Sequence, residues 1–245
     1  MIFGITGNFR KKEYLEIVDI LYKYLIKNGH KCYVSDDFLS SYSKSKILKF
    51  QTLGIRALAK NSDIILSIGG DGTILSTVRR IKKLIKPILG IHIGGLGFLA
   101  ESTKHSMLDA LNIIDQGNYV IEERMLLDLA IFEPNGTKKT YTALNDIVID
   151  HGSSGRILKT EILVSGNYLN TYESDGIIFC TPTGSTAYSL SAGGPIITPT
   201  IDTITVTPIC PHSLSARPII LPSTELISAS FGENSNKISC TIDGQ

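Results

Sequence analysis

The chain has 245 residues, 42% of them hydrophobic and 19% charged, and carries a formal net charge of +1. Its length suits one large domain or two modest ones, and its composition supplies a core and excludes global disorder. A near-neutral charge without a dense Lys/Arg block gives no field for gathering phosphate backbones, so nucleic acid is not an expected partner.

The first half alternates between strands and helices. Met1 to Thr6 reads as a buried strand, and Glu13 to Lys27 as an amphipathic helix closed by Asn28-Gly29. A short strand is expected at Lys31 to Val34 and a second helix from Ser45 to Lys60. Asp63 to Ile68 is an apolar strand running straight into Gly69-Gly70-Asp71-Gly72-Thr73. A helix to about Lys83, a strand at Pro87 to His92, another glycine loop and a helix from Thr103 to Gln116 follow. This alternation predicts a Rossmann-like α/β domain over residues 1–117, with a parallel sheet covered by helices. Near Gly117 the helical period gives way to short β-rich runs, with Asn135-Gly136 and Gly166-Asn167 placed as hairpin turns. Residues 118–245 are therefore expected to form an all-β domain, a sandwich. Asp243-Gly244-Gln245 comes directly after a strand expected over Lys237 to Ile242, which reads as a missing C-terminal tail.

Cys32, Cys180, Cys210 and Cys240 are far apart and form no Cys-x-x-Cys pair. That spacing argues against a zinc site and a disulfide framework, and Cys210 with His212 lacks further ligands nearby. Arg10, Lys11 and Lys12 arrive before any long apolar run, so no secretory signal is expected. The most apolar stretch, Leu84 to Ala100, is interrupted by Lys86, Pro87, His92 and four glycines, so no membrane span is expected either. These features predict a cytoplasmic protein.

Gly69-Gly70-Asp71-Gly72-Thr73 lies at the C-terminal end of a strand, where open α/β sheets bind ligands. Residues without a Cβ let backbone N–H groups approach phosphate oxygens, and the following helix offers its positive end. Asp71 suits two chemical roles, accepting a proton from an attacking hydroxyl or helping to hold Mg²⁺, and one structural role as the N-cap of the helix. The loop is not a Walker A motif, because the chain contains no Gly-Lys dipeptide. Elsewhere, Asn145 offers both a donor and an acceptor, and Asp146 can accept from vicinal ribose hydroxyls, with a turn at a strand start as the alternative. Thr183, Ser185 and Thr186 supply small hydroxyl partners, and Tyr188 supplies either a stacking face or core packing.

The glycine–aspartate loop resembles that of phosphofructokinases, diacylglycerol and sphingosine kinases, and NAD kinases. The stretch from Asp175-Gly176 through Thr181-Pro182-Thr183-Gly184-Ser185-Thr186-Ala187-Tyr188 to Gly193-Gly194-Pro195 is similar to the long signature of NAD kinases alone. Gly94 to Leu99, Glu122 to Leu127, Leu144-Asn145-Asp146, Pro208 to Leu214, Arg217-Pro218 and Asp243-Gly244-Gln245 follow in the same family's order. The resemblance covers nearly the whole chain beyond its first forty to sixty residues.

Membership would imply transfer of the γ-phosphoryl group of ATP, with Mg²⁺, to the 2′-hydroxyl of the adenosine ribose of NAD. It implies Asp71 as the general base or the residue orienting the hydroxyl, with Gly69, Gly70 and Thr73 at the phosphates and Gly72 contributing its backbone. Phe98 would pack on the nucleotide, Asn145 and Asp146 would hold the adenosine, and Asp175 would lie near the nicotinamide. Thr183, Ser185, Thr186, Ala187 and Tyr188 would line the adenine side, and Arg79 or Arg217 would meet ATP phosphates or serve in structural ion pairs. The family also implies a homodimer or homotetramer. Asp146 departs from the family's usual Glu, His92 from its frequent Asn, and Gly95 from a larger, commonly basic residue. A related sugar or lipid kinase would need basic or membrane-facing residues that the late segment lacks. An NAD(P)-binding sensor without turnover is the remaining alternative.

Overall fold

A computed structural model describes residues 1–39, 41–42, 49–95, 97–133, 135–232 and 238–245. The chain forms two compact units, Met1–Glu122 and Glu123–Gln245. The shift in sequence character near Gly117 lies between the last helix of the first unit and this division.

The first unit contains β1 (Ile2–Gly7), α1 (Tyr14–Lys27), β2 (Lys31–Ser35), β3 (Thr52–Leu53), α2 (Ile55–Asn61), β4 (Ile64–Gly69), α3 (Asp71–Ile81), β5 (Ile88–His92), β6 (Ser102–Thr103) and α4 (Met107–Asp115). The strands form one sheet in the order β3-β2-β1-β4-β5-β6, and every pairing is parallel. β4 is buried along its whole length, which is why its sequence is a continuous apolar run rather than an alternation. On one face Phe3, Ile5, Leu66, Ile68 and Ile91 pack with Val18 and Leu21 of α1 and Leu111 of α4. On the other, Ile65 packs with Leu58 of α2 and Ile81 of α3. Each such fully buried aliphatic side chain stabilises the unit by roughly 1.5–3 kcal/mol. The chain leaves β1 toward β2 and β3, then returns to place β4 on the other side of β1. The carboxyl ends of β1 and β4 therefore flank the point where strand order reverses, the usual ligand position in such sheets.

Two helix boundaries differ from the sequence reading. Residues 45–48 of the helix expected from Ser45 to Lys60 lie outside the described residues, and Thr52–Leu53 forms β3, paired with Val34–Ser35. Gly54 is extended (φ −59°, ψ 144°), so the helix begins only at Ile55. Thr103 likewise belongs to β6, and its N–H is held by the Ser106 hydroxyl at 3.0 Å just before α4 starts.

The second unit contains β7 (Leu127–Phe132), β8 (Lys138–Ala143), β9 (Asp146–Asp150), β10 (Leu158–Val164), β11 (Asn167–Ser174), β12 (Gly176–Cys180), α5 (Tyr188–Ser191), β13 (Thr203–Ile209), β14 (Ile219–Pro222), β15 (Ile227–Phe231) and β16 (Ser239–Ile242). Its sheets are β7-β8, β11-β10-β15 and β14-β13-β12-β9-β16, all antiparallel. Ile147, Ile177 and Val206 from the five-stranded sheet share a core with Ile162 and Tyr172 from the three-stranded one, so the sheets face each other across apolar side chains. The turn between β10 and β11 is Ser165-Gly166 rather than Gly166-Asn167. Asn167 already pairs with Val164, and Ser165 (φ 48°) and Gly166 (φ 83°) are the left-handed pair that a two-residue hairpin requires. Lys237, the expected start of the last strand, lies outside the described residues.

Candidate active site

In the first unit the glycine–aspartate loop spans the end of β4 and the start of α3. Gly69 must be bare, because a Cβ there would come within 2.1 Å of the Thr73 hydroxyl oxygen, and Gly70 is closely approached, a Cβ there standing 3.2 Å from His92 Nε2. Thr73 turns back on the loop, where its hydroxyl accepts the Gly70 N–H at 3.4 Å. Gly72 is exposed with open space around it, so its backbone remains approachable.

Asp71 is the first residue of α3, and Gly70 holds the N-cap position assigned to Asp71 in the structural alternative. The Asp71 carboxylate instead crosses to the second glycine loop. Oδ2 accepts the Phe98 N–H at 2.8 Å and Oδ1 accepts the Leu99 N–H at 3.2 Å. Gly97 permits this approach, because a Cβ there would stand 2.3 Å from Asp71 Oδ1. Two charge-assisted bonds from adjacent amides fix the plane of the carboxylate and leave its other lone pairs for a hydroxyl proton. The Phe98 amide is used by Asp71 while its ring stays 80% exposed.

His92, at the end of β5, fills the space between the two loops. Its Nε2 faces Gly70, its Cε1 lies 3.4 Å from where a Gly94 Cβ would be, and its buried Nδ1 has no partner among the described residues. Gly95 faces open space. Arg79 lies in the last turn of α3, about 12 Å along the axis from the loop at the usual helical rise. Asn8 and Arg10, which were not among the expected site residues, follow β1 at the strand-order reversal. The Asn8 N–H donates to the Ile68 carbonyl at 2.8 Å and its side chain accepts the Arg10 N–H at 3.2 Å. The rule for ligand placement in open sheets would have singled them out once the strand order was known.

In the second unit three segments converge because β9 runs antiparallel to both β12 and β16. Its start therefore meets their ends, with Cys180 opposite Asp146 and Ile242 opposite Ile147. Leu144-Asn145-Asp146, Thr181 to Tyr188 and Asp243 to Gln245 meet there. Gly184 lies so close that a Cβ would fall 2.1 Å from the Asn145 carbonyl oxygen. Among the described residues the buried Asn145 Oδ1 has no partner, an acceptor left waiting for a donor.

Asp146 is only 4% exposed. Burial, then the neighbouring Asp243 carboxylate, push its pKa up to about 6 against the opposing pull of the Tyr188 N–H. That amide bond ties the signature segment to Asp146, while the Tyr188 ring itself is exposed. Ser185 differs from the role expected of it. Its fully buried hydroxyl donates to the Pro182 carbonyl at 2.7 Å and accepts the Ile197 N–H at 3.0 Å, so it braces the segment. Thr183 is buried, its carbonyl 3.4 Å from the Thr186 hydroxyl, and Ala187 leads into α5. Asp175 sits at the corner between β11 and β12, where its N–H donates to Ile209 at 3.0 Å and its carbonyl accepts from His151 at 3.2 Å. Arg217 directs Nη1 to the carbonyls of Leu214 (2.7 Å) and Ala216 (2.8 Å), closing its own loop.

Residues 3–119 match the model of the ATP-NAD kinase N-terminal domain and residues 144–245 that of the ATP-NAD kinase C-terminal domain. An NAD kinase of Natranaerobius thermophilus is 37% identical over 244 residues, covering 99% of this chain and 83% of the relative. The chain belongs to the ATP-NAD kinase family. An NAD kinase of Thiobacillus denitrificans is 39% identical over 218 residues, covering 89% of this chain and 74% of that one. Among solved structures, a yeast NADH kinase complexed with NADH superposes with a TM-score of 0.85 at 26% identity, covering 100% of this chain and 75% of its own. An NAD kinase from Archaeoglobus fulgidus shares the fold, with a TM-score of 0.76 at 22% identity and coverage of 100% and 85%. Family membership makes the two polar clusters candidates for the parts of a phosphotransferase.

Proposed function

We infer that the protein transfers the γ-phosphoryl group of ATP to the 2′-hydroxyl of the adenosine ribose of NAD, giving NADP and ADP. The observation that carries the chemical half of this reading is the Asp71 carboxylate held by the Phe98 and Leu99 amides beside the phosphate loop. The 2′-oxygen attacks the γ-phosphorus, the bond from that phosphorus to the β–γ bridging oxygen breaks, and Asp71 takes the hydroxyl proton. The amides of Gly72 and the positive end of α3 face the phosphates. Asp146 accepts from the ribose hydroxyls, and the orphaned Asn145 Oδ1 accepts a donor on the nucleoside. Thr183, Thr186, Ala187 and Tyr188 line the adenine side, the exposed Phe98 ring packs on the nucleotide, and Asp175 lies toward the nicotinamide. Ser185 braces this segment rather than touching NAD.

Mg²⁺ brought in with ATP would neutralise charge on its phosphates. Asp71, beside the phosphate loop, is the carboxylate that would help to hold that ion. Four free cysteines support a reducing, cytoplasmic location. No helix of the described residues is long and apolar enough to cross a membrane. A homodimer or homotetramer is proposed from the likeness to the family alone, and light scattering would measure it. The reading is tested with purified protein, Mg·ATP and NAD, following NADP through a coupled dehydrogenase. NAD binding without NADP above background would replace the kinase by a sensor of the same fold.

A further inference from the structure

The backbone of Leu144, Asn145 and Asp146 presents three consecutive N–H groups to a single carboxylate. Asp243 Oδ2 lies 3.1 Å from the Leu144 nitrogen, and Oδ1 lies 2.7 Å from that of Asn145 and 3.3 Å from that of Asp146. Successive amides gathered in this way form an anion-binding concavity, here filled by a side chain of the same protein. Asp243 is 7% exposed and its own N–H donates to the Asp146 carbonyl at 3.0 Å. It adopts a left-handed conformation (φ 50°), which is uncommon outside glycine but is tolerated by the short polar side chains of Asp and Asn. Gly244 follows at φ 72°, and reciprocal bonds between Ile242 and Gln245, both 3.1 Å, close the turn.

From the other side the Thr181 hydroxyl donates to the Leu144 carbonyl at 2.6 Å and accepts the Gly184 N–H at 3.1 Å. The Thr181 N–H adds a bond to the Asn145 carbonyl at 2.9 Å. Donors and acceptors of the same short segment are thus both fixed, by residues from the ends of two different strands. The side chains of Asn145 and Asp146 project from the segment so held.

We propose that Asp243 and Thr181 are positioning residues that brace the Leu144–Asp146 backbone and so set Asn145 and Asp146 for NAD. The proposal rests on the reading that these two residues hold the nucleoside. Asp243 also places a negative charge beside Asp146. Besides Asp243, the titratable side chains on β9 and the elements next to Asp146 are Asp150, Cys180 of β12, Cys240 of β16 and Tyr188, whose amide bonds the Asp146 carboxylate. Removing the Asp243 charge therefore moves the acid limb of NAD use to lower pH, a change that simple loss of stability would not produce.

The test compares wild-type chain with Asp243→Asn, Asp243→Glu, Thr181→Val and Thr181→Ser. Initial rates are varied in NAD and in ATP between pH 5 and 9, alongside thermal melting. Loss of a charged, buried hydrogen-bond set predicts a KM for NAD raised about tenfold to a hundredfold in Asp243→Asn, with KM for ATP unchanged. Thr181→Val shows the same selective rise, and Thr181→Ser restores it. Asp243→Asn also shifts the acid limb downward. Unchanged NAD kinetics in folded Asp243→Asn and Thr181→Val, or unfolding of both, would overturn the brace. If the wild-type chain itself made no NADP, the kinase reading would fail instead, before any variant was compared.

Discussion

The two polar clusters solve different physical problems. Around Asp71 the polypeptide is bare and open: glycines let two loops approach, Gly72 is exposed, and the carboxylate is aimed by two amides. Around Asp146 the chain is closed: the carboxylate is buried, its backbone is gripped on both sides, and a second carboxylate stands beside it. The open cluster suits a group that must meet a changing charge at phosphorus. The closed cluster suits recognition, because a buried acceptor without a partner penalises any ligand that fails to supply a donor.

The sharpest way to break this contrast is at Asp71. Asp71→Asn keeps the shape and removes the proton acceptor, so kcat should fall by about 10²–10⁴-fold while NAD binding measured by calorimetry stays within a few-fold. An equal loss of binding would place Asp71 in recognition and erase the distinction. Next in size is a pair of glycine substitutions. Gly184→Ala drives a Cβ to 2.1 Å from a backbone oxygen, which cannot move away cheaply, and should cost several kcal/mol in the melting of the second unit, about 3 or more. Gly97→Ala meets the side chain of Asp71 at 2.3 Å, so it should lower kcat about tenfold or more through misaligned geometry while the protein still melts near the wild-type temperature.

Asp146→Asn separates stability from function. The Asp146 pKa rises from the ordinary 3.8 to about 6 in the folded protein, so the folded state binds the extra proton between those values. Its stabilising contribution is complete below the ordinary value and is lost as pH rises through about 6. Asp146→Asn should therefore stabilise the protein at pH 8 by up to about 3 kcal/mol, with little gain at pH 4, while raising KM for NAD. Denaturant titrations at the two pH values measure this, and equal effects at both would refute the buried-charge account. The smallest effect is expected at Gly95, where open space should hold Gly95→Lys within about 0.5 kcal/mol of wild-type stability.

The open cluster was largely legible in the sequence because it is local: an apolar strand, a glycine loop and a helix lie in consecutive residues. What could not be read was the partner of Asp71, since Phe98 and Leu99 reach it only through the pairing of β4 with β5. The closed cluster was legible as a list of residues but not as an arrangement. Ser185 looked like a ligand contact because hydroxyls in a glycine-rich run have that chemistry, yet its burial commits it to Pro182 and Ile197. Asp243 was read only as the residue following the last strand, in a segment that fits the family's order. Its grip on Asn145 depends on β16 lying antiparallel beside β9, a register set by residues nearly a hundred positions apart. The switch at Thr52 from helix to strand was hidden for the same reason, since only its pairing with β2 decides it.

The central claim is that Asp71 accepts the proton of the NAD 2′-hydroxyl as phosphorus is transferred from ATP. Single-turnover formation of NADP from NAD and Mg·ATP, in wild-type chain and in Asp71→Asn saturated with both substrates, tests it most directly. The account predicts a single fast phase of NADP formation in the wild type and a chemical step slowed by about 10²–10⁴-fold in the variant. A chemical step of equal rate in the two proteins would contradict it.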